Sequence, residues 1–391
     1  MRKVLVTGGS HSEIPLIKEL KNLGYYVITT GNNTGGLGHI YADEYIQGDF
    51  SDREFILKLA KQEQVSGIVS GCNDFAYIST AYACEQLNLP GHDTYSNAQV
   101  IHHKDKFMSV LKKIGLRCPK TYKCGSFPQC KLATEIIKLP VIVKPIDLTG
   151  GKGVYICNKM SDLEIAYSNA MSFTRQDVIV VEEYIVGENH GGSFLVKDGK
   201  VVFSFFDNEQ YYLNKYLVSG ACYPANLTDF AKKEMISQIE AVFAHLNLVD
   251  GLFHTQFIVD RNGYPIIIDP CRRSPGDLYI KLVQYSTEVN YPLEIVKSEL
   301  GLKLNNNYKI VPHNIARECI MTDANGKYIS LNISNEIKNK IIHSMVWANE
   351  GEDIVDYLKY KAGILFFECD TVDNLYDNVN NFHKLVRINR G

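Results

Sequence analysis

The side chains with the most chemical capacity lie in three stretches: Lys144 in VIVKP, the glycine-rich run Thr149 to Gly153, and QFIVDRNGYPIIIDPCRRSPG from Gln256 to Gly276. A lysine beside a glycine loop offers positive charge and backbone amides, the two things a phosphate group needs. Gln256 and Asp269 offer oxygen, which suits a hard cation such as Mg²⁺ that completes its shell with phosphate. Asn262-Gly263 is a hairpin signal, so FHTQFIV and YPIIID are expected as paired strands with Gln256 and Asp269 on neighbours. None of these side chains is a covalent nucleophile, so activation would have to come from a bound phosphoryl donor.

Positioning such groups requires a layered α/β chain. Lys3 to Thr7 reads as a strand, Ile14 to Leu23 as a helix and YYVITT as the next strand. The helix Asp52 to Gln64, the strand GIVSG and the helix Ala76 to Leu87 follow, giving a doubly wound, Rossmann-like unit over residues 1–97. Its glycines lack the GxGxxG order and no acidic residue follows the second strand, which argues against a dinucleotide. The loops GGSHSE and GCNDF at its strand ends remain natural ligand positions. Further on come a helix from Lys104 to Lys113 closed by Gly115, the strands LPVIVKP, VYIC and DVIVVEEYI, a hairpin of SFLVKDG and KVVFSFF, and a helix from Asp229 to Leu246. The tail reads as strands around His313–Met321, Met345–Trp347 and Gly363–Phe367 with a helix around Val372–Phe382. Asn305-Asn306-Asn307 is the most linker-like stretch.

The 391 residues carry 41 basic and 44 acidic side chains, a formal charge of −3, which gives no electrostatic case for nucleic acid. MRKVLVTGG runs straight into a strand with no leader-like apolar core, and no apolar run is long enough for a membrane. Ten cysteines are scattered without a CxxC pair, as expected of reduced thiols in a cytoplasmic protein.

In order along the chain, HHKDKFMSVLKKIGLRCPKTY, LPVIVKPIDLTGGKGV, VVEEYIVGE and QFIVDRNGYPIIIDPCRR resemble the motifs of the ATP-grasp superfamily, as found in biotin carboxylase, the carbamoyl phosphate synthetase large subunit and formate-dependent glycinamide ribonucleotide transformylase. The resemblance implies an α/β chain that is α+β in its grasp unit, with an ATP-grasp domain over 98–306, a lid over about 117–186, and a C-terminal α/β segment over 307–391 that completes the core. It implies ATP and Mg²⁺ (or Mn²⁺) as cofactors. Lys104 then stands where relatives carry a basic residue eleven positions before a glycine, here Gly115. Lys144 would reach the α and β phosphates, and Thr149, Gly150, Gly151 and Gly153 would form the loop closing on the γ phosphate. Glu182, Glu183 and the Ile185 backbone match the adenine edge, and Glu188 matches the ribose carboxylate. Gln256 and Asp269 match the metal-bridging positions, with Cys271 where relatives have asparagine. Arg273 matches the arginine that stabilises the transferred phosphoryl group.

Asp269 stands where glutamate is usual and Gln256 replaces the commoner glutamate, so with Cys271 the site has fewer anionic oxygens and one soft sulfur facing a hard cation, with Asp277 as a compensating carboxylate if its loop folds back. The implied activity is an ATP-dependent ligase that converts a small carboxylate to an acyl phosphate and joins it to an amine. Carbamoyl phosphate synthetase-like phosphorylation, or ATP binding with impaired catalysis, are the rival readings. The implied partners are those two small molecules, without nucleic acid or membrane, and a homodimer is allowed. Arg272 is expected to be structural, as are His190 and His254. The aromatic run FSFFDNEQYYLNKY suits either an edge packing surface or an acceptor pocket.

Overall fold

Short apolar runs alternating with helices build the first layer of the computed structural model, which describes residues 2–146 and 153–391. Strands Glu44–Gln47, Tyr26–Gly31, Lys3–Thr7 and Gly67–Ser70 form a parallel sheet in that order. The edge strand Glu44–Gln47 was not expected. It is four residues of mostly polar, half-buried chain and has no alternation to read. The helix Asp74–Leu87 begins where the Asn73 side chain accepts from the Phe75 amide, so Asp74 is fixed at the mouth of the sheet. Glu13 is buried and ties the two strand-end loops together, accepting from the Ser10 and Cys72 amides, each at 2.7 Å.

The centre is an eight-stranded sheet, antiparallel throughout, in the order Pro265–Cys271, Gly251–Asp260, Gly187–Lys197, Lys200–Tyr211, Val218–Tyr223, Ile315–Ile320, Gly363–Glu368 and Ile341–Val346. Strand periodicity of two divides its side chains between two faces, against which three cores pack. Leu195, Phe203, Phe205 and Ile315 pack with helices Tyr279–Thr287 and Tyr291–Glu299. Phe194, Phe206 and Phe253 pack with helix Asp229–Leu246, and Ala316, Ile320 and Phe367 with the C-terminal helices. A separate four-stranded sheet, Thr121–Cys124, Ile179–Glu183, Val141–Pro145 and Tyr155–Cys157, carries helices Phe127–Ile137 and Leu163–Phe173 over its own core. The strands Gly326–Ile333 and Val386–Arg390, absent from the sequence reading, pair in a small fourth sheet whose outward residues are mostly polar. No described helix is long and apolar enough to cross a membrane.

Arg272 joins the first layer to the central sheet. It is 4% exposed, its Nε donates to Asp93 Oδ2 at 2.7 Å and its Nη2 to the Val249 carbonyl at 2.7 Å, with a further bond to the Leu252 carbonyl. Asp93 also accepts from Tyr77 Oη and the Val249 amide. The expected structural role of Arg272 is what this geometry describes.

Candidate active site

A cavity of about 570 Å³ is lined by the central sheet, the four-stranded sheet and the strand-end loops of the first layer. Lys144 reaches it from strand Val141–Pro145. It pairs in register with Val180, and Ile142 pairs with Glu182, so Lys144 and Glu182 share a face and meet at 2.6 Å. Burial draws the Lys144 amine below its ordinary value, Glu182 opposes this, and Lys104 lowers it again. Lys104, the first residue of helix Lys104–Lys113, lies 3.5 Å from Asp269 Oδ1. Two nearby ammonium groups in a largely desolvated place favour a multivalent anion.

Gln256 and Asp269 are direct cross-strand partners, and a β-bulge at Ile268 sits beside them, since Phe257 pairs with Ile267. Gln256 Nε2 donates to Glu209 Oε1 at 2.7 Å, which leaves the amide oxygen as its free donor atom for a cation. Glu209, also bonded by Tyr211 Oη at 2.5 Å, is a cavity residue that sequence reasoning missed; burial pushes its carboxyl up. Cys271 lines the cavity, yet its thiol donates to the Arg273 carbonyl at 3.5 Å and burial pushes it up to about 12. A neutral, backbone-bonded thiol does not suit a hard cation, so Cys271 is corrected here from metal donor to wall residue. Asp277 does not compensate: Lys361 at 2.5 Å, His11 at 3.6 Å and Arg317 at 4.0 Å surround it. Among the described residues no group of three or more His, Cys, Asp or Glu could hold a metal alone. Asp269 and the Gln256 oxygen fit Mg²⁺ in the manner of a site that shares its ion with phosphate.

Arg273 also faces the cavity, with Nε 2.8 Å from Asp74 Oδ1, and His102 Nδ1 lies 3.1 Å from the same oxygen. Burial opposes ionisation of Asp74, but Arg273 and His102 outweigh it and hold the carboxyl far below its usual range. Arg317, on the distant strand Ile315–Ile320, was not foreseen. It is 2% exposed, lines the cavity, donates to the Asp277 carbonyl at 3.3 Å, and has no partner for Nε among the described residues. Its only sequence signal is an arginine inside an otherwise buried strand, IARECI. Asp207, fully buried, accepts from Tyr279 Oη, and its Oδ1 has no hydrogen-bond partner among the described residues. Burial, with Glu209 next, pushes its carboxyl up to about 7. His254 is held neutral, drawn down to about 3 by burial and Arg273, with Nδ1 2.8 Å from Ser193 Oγ.

Glu182, Glu183 and Ile185 line the cavity, although the Glu182 carboxylate is engaged by Lys144. Glu188 does not line it: the side chain is 71% exposed, and Asn189, one step along the strand, stands on the wall instead. The expected ribose carboxylate is thereby corrected, because alternation along the strand turns Glu188 to the other face. Thr149, Gly150 and Gly151 lie outside the described residues. Gly153, at φ +69°, would bring any Cβ within 2.8 Å of Pro145, so only glycine suits the end of that loop. The aromatic run divides: Phe203, Phe205 and Phe206 enter the cores, whereas Asp207, Glu209, Tyr211, Lys215 and Tyr216 line the cavity.

Residues 137–277 match the family model described as an ATP-grasp domain. The carbamoyl phosphate synthase large chain of Clostridium botulinum (strain Loch Maree / Type A3) is 25% identical over 311 residues, 75% of this chain and 28% of the relative. The D-alanine–D-alanine ligase of Fusobacterium nucleatum is 25% identical over 162 residues, covering 40% of this chain and 51% of the relative. This chain thus spans about a quarter to a half of the length of these curated relatives. Among solved structures, L-amino acid ligase from Bacillus licheniformis has a TM-score of 0.83 at 18% identity, with 100% of this chain and 99% of the other covered. Phosphoribosylglycinamide synthetase from Anaerococcus prevotii has a TM-score of 0.79 at 22% identity, with full coverage of both. The biotin carboxylase domain of Hydrogenobacter thermophilus 2-oxoglutarate carboxylase, solved with MgADP and bicarbonate, has a TM-score of 0.79 at 17% identity, covering 100% and 91%. The fold is the ATP-grasp fold. Residues 137–277 of the chain carry an ATP-grasp domain.

Proposed function

We propose that this chain is an ATP-dependent ligase that joins a small-molecule carboxylate to an amine, releasing ADP and phosphate. The observation that carries this is one cavity whose lining brings the cations Lys104, Lys144, Arg273 and Arg317 together with the oxygen donors Gln256 and Asp269. Relatives whose names specify ligation of amino acids share the fold, which supports the class of substrates.

In this reading Lys104 and Lys144 bind the polyphosphate, while Asp269 and Gln256 hold Mg²⁺ against it. The ion, when bound, offsets charge that develops on the transferred phosphoryl group. Arg273 and Arg317 orient the carboxylate, whose oxygen forms a bond to the γ phosphorus as the bond to ADP breaks. The amine nitrogen then attacks the acyl carbon, the carbon–oxygen bond to phosphate breaks, and Asp207 takes the proton that nitrogen sheds. Positioning and charge complementarity supply the rate, as no covalent enzyme intermediate is needed.

Two expectations follow from the buried ionisable groups. Lys144→Met should weaken ATP binding by about 2–4 kcal/mol, the range for a lost charge-assisted contact. Because the substitution strands Glu182, calorimetry should include Lys144→Met with Glu182→Gln; unchanged affinity in both removes Lys144 from the phosphate site. Asp207 must be ionised to accept a proton, so turnover should rise as pH climbs through about 7 and then level off. Asp207→Asn should lower turnover and flatten that limb, and an identical pH profile in the variant would exclude it as the base.

The proposal itself is tested by incubating the chain with ATP and Mg²⁺ against paired panels of amino acids, other carboxylates and amines. ADP formation that requires both co-substrates, with a condensed product by mass spectrometry, is expected. ATP binding without turnover across the panel would favour the impaired-catalysis reading that Asp269 and Cys271 motivate.

A further inference from the structure

Two cavities lie against the central sheet, and Gly187, Asn189, Glu209 and Tyr211 border both of them. In one cross-strand row Glu209 pairs with Ala221 and Ala221 with Arg317, and this row borders the cavity described above. In the next row Gln210 pairs with Gly220 and Gly220 with Glu318. Gln210 and Glu318 line a second cavity, of about 1170 Å³, roofed by helix Val372–Asn380 and strand Val386–Arg390.

This second cavity has a polar floor, where burial pushes the Glu318 carboxyl up to about 8. Glu318 is 1% exposed and its Oε1 has no hydrogen-bond partner among the described residues. The missing side chain at Gly220 makes room for it, because a Cβ there would lie 2.0 Å from Glu318 Oε2. Gln210 donates its amide nitrogen to Cys222 Sγ at 3.4 Å, and its buried Oε1 has no hydrogen-bond partner among the described residues. His383, stacked on Tyr212 at 3.5 Å, leaves Nδ1 unpartnered as well. Buried acceptors of this kind are normally satisfied, so several together call for a donor-bearing occupant. The rim carries both signs: Lys384 and Arg387 are exposed at its edge, Glu188 is exposed on the opposite strand, and Arg390 is paired with Asp323 at 2.9 Å.

We infer that the second cavity binds a small anionic metabolite whose charged group meets Lys384 and Arg387 and whose hydroxyl or amine hydrogens meet Glu318 and Gln210. Both sugar phosphates and amino acids carry that combination. Neither requires the first cavity, so the inference stands whether or not the ligase reading holds. Because the two cavities share strands, an occupant here sits one peptide away from Asp207, Glu209 and Arg317.

The test is calorimetric titration of the full chain, saturated with a non-hydrolysable ATP analogue. The probes are ribose 5-phosphate, glucose 6-phosphate, serine and aspartate, with succinate and uncharged glucose as controls that each lack one half of the pattern. Binding of at least one of the four probes at submillimolar concentration, and of neither control, is expected, and which probe binds separates the two sources. Lys384→Ala with Arg387→Ala, both surface changes, should weaken it at least tenfold and leave ATP-analogue affinity within twofold. Glu318→Gln should weaken it severalfold with the thermal midpoint retained. No binding by any of the four, binding equal to that of the controls, or binding indifferent to the rim double variant would overturn the site.

Discussion

Arg272→Ala should destabilise the folded chain by about 3–5 kcal/mol, because it leaves a buried carboxylate uncompensated. Asp93 is 2% exposed, and the Arg272 guanidinium is its cationic partner, at 2.7 Å. The guanidinium also lies 4.9 Å from the Phe243 ring centroid and satisfies the Leu252 and Val249 carbonyls, so truncation removes packing and hydrogen bonds together. Thermal and denaturant unfolding of the variant read the loss directly. Companion Asp93→Asn should recover part of it when combined with Arg272→Ala, since the stranded charge is then gone. A variant as stable as the parent would show that the junction between the first layer and the central sheet is held elsewhere.

The neighbouring arginine is expected to fail in a different assay. Arg273→Lys keeps a positive charge beside Asp74 but loses the planar fork that can hold a carboxylate or phosphoryl group at two points. Turnover should fall by about 10²–10³-fold, the range for removing one donor aimed at developing charge, while ATP affinity changes little. The split arises from geometry: side chains alternate across a strand end, so Arg272 turns into the core and Arg273 into the cavity. Retained turnover in Arg273→Lys would transfer the role to Arg317.

The order of elements was legible because each carries a local signal. The Asn262-Gly263 turn forces the pairing of Gln256 with Asp269, and Gly263 indeed takes φ +77°. Lys144 follows a β-branched run that forms a strand for its own reasons. Arg317 and Asp207 carry no such signal, since they approach the cavity only when strands more than a hundred residues apart join one sheet. Glu188 was misplaced because motif spacing does not report which face a strand residue takes, and a one-residue difference exchanges it for Asn189. The thiol of Cys271 was read by donor type alone, whereas its burial and its bond to the Arg273 carbonyl decide its chemistry. The polar strands Glu44–Gln47 and Gly326–Ile333 escaped because pairing, not hydrophobic pattern, makes them strands.

Activation of a carboxylate by phosphoryl transfer leaves an isotopic trace, and following it is the most direct measurement available. With the carboxylate of an active substrate pair enriched in ¹⁸O, the oxygen that attacks the γ phosphorus must depart with phosphate when the amine displaces it. One ¹⁸O atom per inorganic phosphate, formed in step with the amide and ADP, is the expected result. Unlabelled phosphate released alongside labelled amide would contradict an acyl phosphate and, with it, the ligase assignment of this cavity.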